Sequence, residues 1–511
     1  MTVKKKERLR LEISDVAFGG KGIARLDDFV IFVDHGVIGD VLDVRVTRKK
    51  KNYAEARILE IITPSPHRVE APCPYSGQCG GCKWQFLDYE KQLEYKHRHV
   101  VDALERPGLV DGEFIYPTLA ADPALGYRNK MEFSCSDRRW LSPMEMDAVK
   151  AAERAASEGA ASEGIEAGDI NPGDINPGDI KPGDINPGDI NPGNINIAEI
   201  DRGFALGLHV PGTFYKVLDI NACLLQPDRG NDILADIRSF IRDSGLPVYG
   251  LRSHEGFWRF VMLRHSSFYD QWMVNIITSR PETQRLLPLG ESLCEKYPNI
   301  VSVLNNVNSR KSSVAVGEYE ILLAGKKNIV DRIGDLEFEI SANSFFQTNT
   351  RQAEVLYKKA AQYADLSGDE TLLDLYCGAG TISSWLAGSV KKVIGIEVSE
   401  SAIADAKSNA RLSGIDNVTF VAGDMKEALP RINEKVDAMI IDPPRAGMHK
   451  DVVKQVLEMA PPKIVYVSCN PATMARDLIL MKDAYRVVEA QPVDMFPHTW
   501  HIESVVKLEA L

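Results

Sequence analysis

Apolar and polar positions alternate from the start of the chain. RLRLEISDVA, DFVIFVDH, DVLDVRVT and YAEARILEII each have strand length and pattern, and FGGKGIAR supplies a glycine turn. Short strands at near-regular spacing with glycine turns predict a small barrel over residues 1–62. The proline-rich TPSPHRVEAPCP that follows reads as a linker. DYEKQLEYKHRHVVDALER has helical spacing with its charges on one side. In YRNKMEFSCSDRRW, Met131, Phe133 and Cys135 share one strand face. From about residue 341 the pattern switches regularly between the two periods: helix QAEVLYKKAAQYA, strand TLLDLY, helix TISSWLAG, strand KVIGIE, helix SAIADAKSNARL, strand VTFVAG. Strand VDAMIID, helix DVVKQVLEMA, strand KIVYVSC, helix ATMARDLILM and two final strands complete it. Such alternation predicts a doubly wound α/β sheet over 341–511.

Residues 141–202 break the pattern. A five-residue repeat, GDINP, runs from about Gly168 to Asn196. Each copy offers one large apolar residue, and its proline lacks a backbone donor, so the segment cannot bury enough surface to offset ordering. It is predicted to be a flexible insertion in a middle α/β unit, 63–340. Three units suit a length of 511 residues. A hydrophobic share of 44% and a charged share of 26% are ordinary for a soluble protein. No run of apolar residues has membrane-spanning length, and MTVKKKERLRLE has no apolar core of a secretory signal. The eight cysteines are therefore expected to be reduced thiols in a cytoplasmic protein. The net charge of −12 is uneven, because KKKERLR and TRKKK make the first unit locally basic. RNA is thus not excluded as a partner.

Three motifs meet at the carboxyl edge of the predicted sheet, where open α/β sheets bind ligands. DLYCGAGTIS, Asp374–Ser383, follows a strand and opens a helix; Glu397 ends the next strand; IIDPPR ends the fourth. Together they resemble the class I methyltransferases that use S-adenosylmethionine. The G-x-G-x-x-G of a nicotinamide site is missing from the loop. VSCNPATM places Cys469 at the same edge, and FPHTWHIESVVKL supplies Glu503, with His498 and His501 as competing bases.

Cys469 in SCNP, the DPPR loop and Glu503 in T-x-H-x-E resemble the RNA uracil-C5 methyltransferase family along nearly the whole chain. The resemblance implies a reaction in which Cys469 adds to carbon 6 of uracil and so makes carbon 5 nucleophilic. After methyl transfer Glu503 removes the carbon-5 proton. By the same resemblance Gln347 in SANSFFQTN, Tyr376, Glu397 and Asp442 bind the cofactor, with Glu397 on its ribose. Asp424 would lie near the adenine, and Arg445 would contact phosphate or orient Asp442. The barrel resembles a TRAM domain, an OB-like RNA-binding module, on FGGKGIAR and the run Arg48–Lys51.

CPYSGQCGGCKW holds Cys73, Cys79 and Cys82, one thiolate short of a four-ligand site. The spacing allows zinc or an iron–sulfur cluster. Family resemblance implies a 4Fe–4S cluster whose fourth ligand lies far downstream. Cys135 reads as core and Cys223 as a loop residue matching the family's D-x-x-x-C element, so Cys223 is the expected fourth ligand. Cys294 and Cys377 carry no assigned chemistry. Barrel and cysteines together imply 23S ribosomal RNA as substrate, with transfer RNA, or a non-catalytic ribosome-assembly role, as alternatives. No membrane or protein partner is implied.

Overall fold

The computed structural model describes residues 3–142, 145–151, 201–311 and 314–511, so the GDINP repeat lies outside the described residues. Six strands, from Arg8–Glu12 to Tyr53–Thr63, form the first sheet, coiled around Leu11, Ile31, Val33, Leu42, Val44 and Ala56. Alternate residues of these strands face inward, as the sequence pattern requires.

An eight-stranded mixed sheet forms the middle of the molecule. Its strand Lys130–Ser136 pairs with Trp258–His265 on one side and with Ala205–His209 on the other, so chain from both sides of the repeat shares one sheet. Residues 145–151, the start of the stretch read as an insertion, are helical, and Ser142 and Glu145 cap one another.

Seven strands build the third sheet. In space they run Val418–Ala422, Lys392–Glu397, Thr371–Leu375, Ala438–Ile441, Lys463–Ser468, Glu503–Ala510, Tyr485–Val493. The first five are parallel, and Glu503–Ala510 inserts antiparallel between its two neighbours. That insertion has a chemical consequence. Ser468 pairs with Ser504, so the end of one strand and the start of the other bring Cys469 and Glu503 side by side at the carboxyl edge.

Two segments of 63–340 pack against this third sheet. Val100 and Leu104 of the helix Tyr89–Glu105 share a core with Tyr466, Ile502 and Val506, and Ile115 and Leu119 bridge to its edge strand. The hairpin Ile329–Ile333 with Leu336–Ile340 buries Ile333 and Phe338 against Leu372 and Val465. Periodicity reports that a helix or strand has an apolar face; it does not report which sheet that face meets. No helix among the described residues is long and apolar enough to cross a membrane.

Candidate active site and cysteine cavity

A cavity of about 930 Å³ opens at the carboxyl edge of the seven-stranded sheet. Gln347, Tyr376, Glu397, Asp442, Cys469 and Glu503 all line it. Tyr376 stands in the left-handed region at φ 64°, as do Gly378 at 54° and Gly380 at 74°. For a tyrosine this is strain, of the kind held at ligand sites by surrounding structure. At Gly380 a Cβ would lie 2.6 Å from the Phe420 ring, so the turn requires glycine. Glu397 is held by two backbone amides, of Ser399 at 2.9 Å and Gly378 at 3.3 Å, which ties the acidic strand end to the glycine loop. Gln347 sits on a loop fixed from the middle sheet: the Asn129 side-chain amide donates to its carbonyl at 2.8 Å.

At the reacting end, burial and the neighbouring carboxylate of Glu503 push the Cys469 thiol up to about 11, and Arg445 partly opposes them. Glu503 is 7% exposed, and burial, reinforced by Asp442, holds its carboxyl well above the usual range. Asp442 opens partly onto the cavity yet lies deep enough for burial to raise it to about 7. Arg445 approaches His501 Nδ1 at 3.4 Å, while its carbonyl accepts from Asn470 at 3.2 Å and Thr473 at 3.1 Å. The DPPR loop is thereby tied to the turn that follows Cys469.

The competing bases separate on this geometry. Burial pushes the His501 imidazole down to about 4, so it is a weak proton acceptor, and it lines the cavity as a neutral ring. His498, also near 4, lies outside that lining and is bonded to Gln92. Asp424 does not line the cavity either; its carboxylate caps the helix Met425–Ala428. Phe18 packs edge-on to Trp500 at 4.8 Å, and Tyr53 to Phe32 at 5.6 Å, so both rings are used in packing. Sequence reading gave no role to several lining groups, Asp374 and Arg128 among them. Asp374 is buried within its strand, raised to about 7, and leaves Oδ1 without a partner; an acid in an otherwise apolar strand was the available signal. Arg128 lines both this cavity and the next, and nothing in the sequence marked it.

A second cavity, of about 510 Å³, is walled by Cys73, Cys79, Cys82 and Cys223. Gly80 brings the cysteine loop onto strand Ala205–His209: its amide donates to the His209 carbonyl at 2.9 Å, and a Cβ there would clash with the same oxygen at 2.6 Å. The sulfurs collect hydrogen bonds. Gln85 Nε2 donates to Cys82 Sγ at 3.2 Å and the Gly81 amide to Cys79 Sγ at 3.4 Å. Backbone amides of Tyr75 and Ser76 face Cys73, and those of Leu225 and Gln226 face Cys223. Burial nonetheless pushes the free thiols up, to about 11 at Cys79 and about 12 at Cys82. Cys135 is buried in the middle core. Among the described residues no group of three or more His, Cys, Asp or Glu side chains is placed to hold a metal ion.

Known proteins match along the whole chain. The model of the tRNA (uracil-5-)-methyltransferase family matches residues 308–511, and that of the TRAM domain matches residues 3–59. An uncharacterized RNA methyltransferase of Chlorobaculum tepidum is 40% identical over 99% of this chain and 97% of its own. Another, of Porphyromonas gingivalis, is 40% identical over 98% and 99%. The chain belongs to the RNA uracil-C5 methyltransferase family. A solved family structure, the Pyrococcus abyssi tRNA (uracil-54, C5)-methyltransferase with S-adenosyl-L-homocysteine, superposes with a TM-score of 0.69. It is 26% identical and covers 98% of this chain and 100% of its own. Membership of this family makes the protein an S-adenosylmethionine-dependent RNA methyltransferase with a TRAM barrel. The larger cavity suits that cofactor: it has a glycine turn for close backbone approach, a strand-end acid and an unpartnered carboxylate oxygen on Asp374.

Proposed function

We propose that the protein methylates carbon 5 of a uridine in 23S ribosomal RNA through a covalent enzyme–RNA adduct. The observation that carries the uracil-C5 chemistry is the pair Cys469 and Glu503, brought side by side by strand pairing and lining one cavity. Bound S-adenosylmethionine supplies an electrophilic methyl group. Cys469 adds its sulfur to C6 of uracil, which places electron density on C5; C5 then bonds the methyl as the S–CH3 bond breaks and S-adenosylhomocysteine leaves. Glu503 then accepts the C5 proton; the C–H electrons form the C5–C6 double bond, and the C6–S bond breaks to return the thiolate. Gln347, Tyr376, Glu397 and Asp442 hold the cofactor, and neutral His501 with Arg445 borders the uracil.

Both reacting groups must be deprotonated, and in both the environment favours the protonated form. Raising the pH therefore fills the active state of each. The single-turnover rate is expected to climb from about pH 6 to about pH 9, by up to tenfold per unit for each titrating group. A quench-flow pH profile at saturating RNA checks the direction.

The four-cysteine cavity suits a 4Fe–4S cluster. Four thiols walling one cavity, with hydrogen-bond donors on their sulfurs, support a thiolate-held cluster of the kind the family resemblance implies. Cys73, Cys79, Cys82 and Cys223 would hold it. Protein purified without oxygen is expected to contain about four iron atoms per chain. Cys223→Ser should lose most of the iron and the visible absorbance, whereas Cys135→Ser should keep both; iron retained in the first variant would remove Cys223 from the ligand set.

Barrel and cysteine set together support the ribosomal substrate by family resemblance. The Pyrococcus abyssi match favours transfer RNA instead, because it spans the length of this chain. Incubation of anaerobic enzyme with labelled S-adenosylmethionine and unmodified total RNA, then sizing and nucleoside analysis, decides. Label in 23S RNA as 5-methyluridine supports the proposal; the same nucleoside in transfer RNA keeps the chemistry and moves the substrate. Absence of 5-methyluridine from both would defeat it.

A further inference from the structure

The turn that delivers Glu503 is not held by the catalytic sheet alone. It is gripped from outside by the cysteine segment and the helix Tyr89–Glu105, some four hundred residues earlier in the chain. The amides of Lys83 and Trp84, directly after Cys82, both donate to the carbonyl of His498, at 2.9 and 3.0 Å. Gln92 closes the junction: its Oε1 accepts from the His498 amide at 2.9 Å, and its Nε2 donates to the Trp84 carbonyl at 3.0 Å and the Leu87 carbonyl at 2.8 Å. The same Nε2 lies 3.3 Å from His498 Nδ1. One helical turn on, Lys96 donates to Asp494 at 2.6 Å and to the Phe496 carbonyl at 3.1 Å. Tyr89 donates to the other oxygen of Asp494 at 3.0 Å. Gln92, Lys96 and Asp494 are wholly buried.

Between these anchors and Glu503 lie only a few residues, each tied to the next. Thr499 Oγ1 donates to Phe496 O at 2.8 Å and accepts the His501 amide at 3.2 Å, and the Trp500 and His501 rings lie 3.9 Å apart, tilted by 40°. His498 itself stands in the left-handed region at φ 65°, uncommon for a residue other than glycine. None of the anchoring side chains lines the reaction cavity.

We propose that Gln92, supported by the Lys96–Asp494 pair, is a positioning residue for the proton-abstraction step. It fixes the His498 turn and thereby sets the Glu503 carboxylate against the C5–H bond of the methylated adduct. The inference rests on the uracil-C5 reading above. Cys469 follows a different strand, Lys463–Ser468, so sulfur addition and methyl transfer are expected to depend on this grip far less than proton abstraction does. Displacing Glu503 slows only the step in which C5–H and C6–S break together. Misplacement by about an ångström costs roughly ten- to a hundredfold in such a step.

The test is single-turnover methylation of unmodified RNA with methyl-labelled cofactor, scored two ways. One readout is 5-methyluridine released; the other is label held in an SDS-stable protein–RNA complex. In Gln92→Met, product release is expected to slow at least tenfold while the labelled complex accumulates, with cofactor affinity near that of wild type and a melting temperature lowered by the buried backbone groups left unpaired. A fall in turnover without rise of the complex, or unchanged release, overturns the proposal. Should Gln92→Met fail to fold, Tyr89→Phe removes only one hydroxyl at the rim of the same network. It should show a smaller rise of the complex, and none would equally overturn it. Wild-type enzyme that forms no 5-methyluridine removes the uracil-C5 reading itself, an outcome distinct from either variant result.

Discussion

Replacing Cys469 by alanine is expected to abolish methylation, by at least a thousandfold, while leaving cofactor affinity within about threefold of wild type. The size follows from the chemistry. Without a sulfur on C6, carbon 5 of uracil carries too little electron density to attack a sulfonium methyl, and no cavity neighbour can substitute. His501 is a poorly basic ring, Glu503 is a weak carbon nucleophile, and Cys377 is packed among Ile403, Ala406 and Phe420. The spared affinity follows from the fold. Tyr376 follows the strand Thr371–Leu375 and Glu397 ends its neighbour Lys392–Glu397, whereas Cys469 follows the strand Lys463–Ser468, two strands beyond Thr371–Leu375 in space. Isothermal titration with S-adenosylhomocysteine beside a labelled-methyl assay separates the two. Turnover retained in the alanine variant would remove the covalent mechanism and point to direct attack. Affinity lost with turnover would mean that Cys469 helps to build the cofactor pocket.

Much of this site is legible in the order of residues alone. Motifs at strand ends name residues by the edge they must occupy, and a parallel sheet gives every strand the same carboxyl edge; Tyr376, Glu397, Asp442 and Cys469 therefore line one cavity, which Gln347 joins from a loop outside that sheet. Glu503 is less regular. It starts a strand rather than ending one, and it reaches the edge only because that strand runs antiparallel, a fact of pairing that alternation cannot report. The cysteines are legible for a similar reason: their residue type restricts what they can do, and Cys223 shares a wall with the other three despite the long intervening chain. What stays hidden is generic in type. Asp424 has the strand-end acid's signature, yet its geometry is that of a helix cap. Gln92 and Lys96 look like solvent-facing helix residues in DYEKQLEYKHRH, and both are fully buried because the helix is packed between the catalytic sheet and the segment just before it.

Glu503→Gln separates bond making from bond breaking, and its expected result is the opposite in kind from that of the cysteine variant. Glutamine keeps the volume of a side chain that is 7% exposed, so the strand and the Ser468–Ser504 register should persist. It cannot accept a proton. Sulfur addition and methyl transfer should proceed, and the methylated adduct should then stall with its C6–S bond intact. Turnover is expected to fall by roughly a hundred- to ten-thousandfold, while a labelled protein–RNA complex that survives SDS rises towards one per enzyme. The raised acidity range of Glu503 gives this step its force. A carboxylate that burial has made a stronger base holds the C5 proton better than an exposed one would, and far better than His501 at about 4. Single-turnover assays resolved on denaturing gels measure both quantities. Normal release from the glutamine variant would pass the role to another base; loss of both product and complex would place Glu503 before methyl transfer, where its charge would act on the thiol of Cys469 instead.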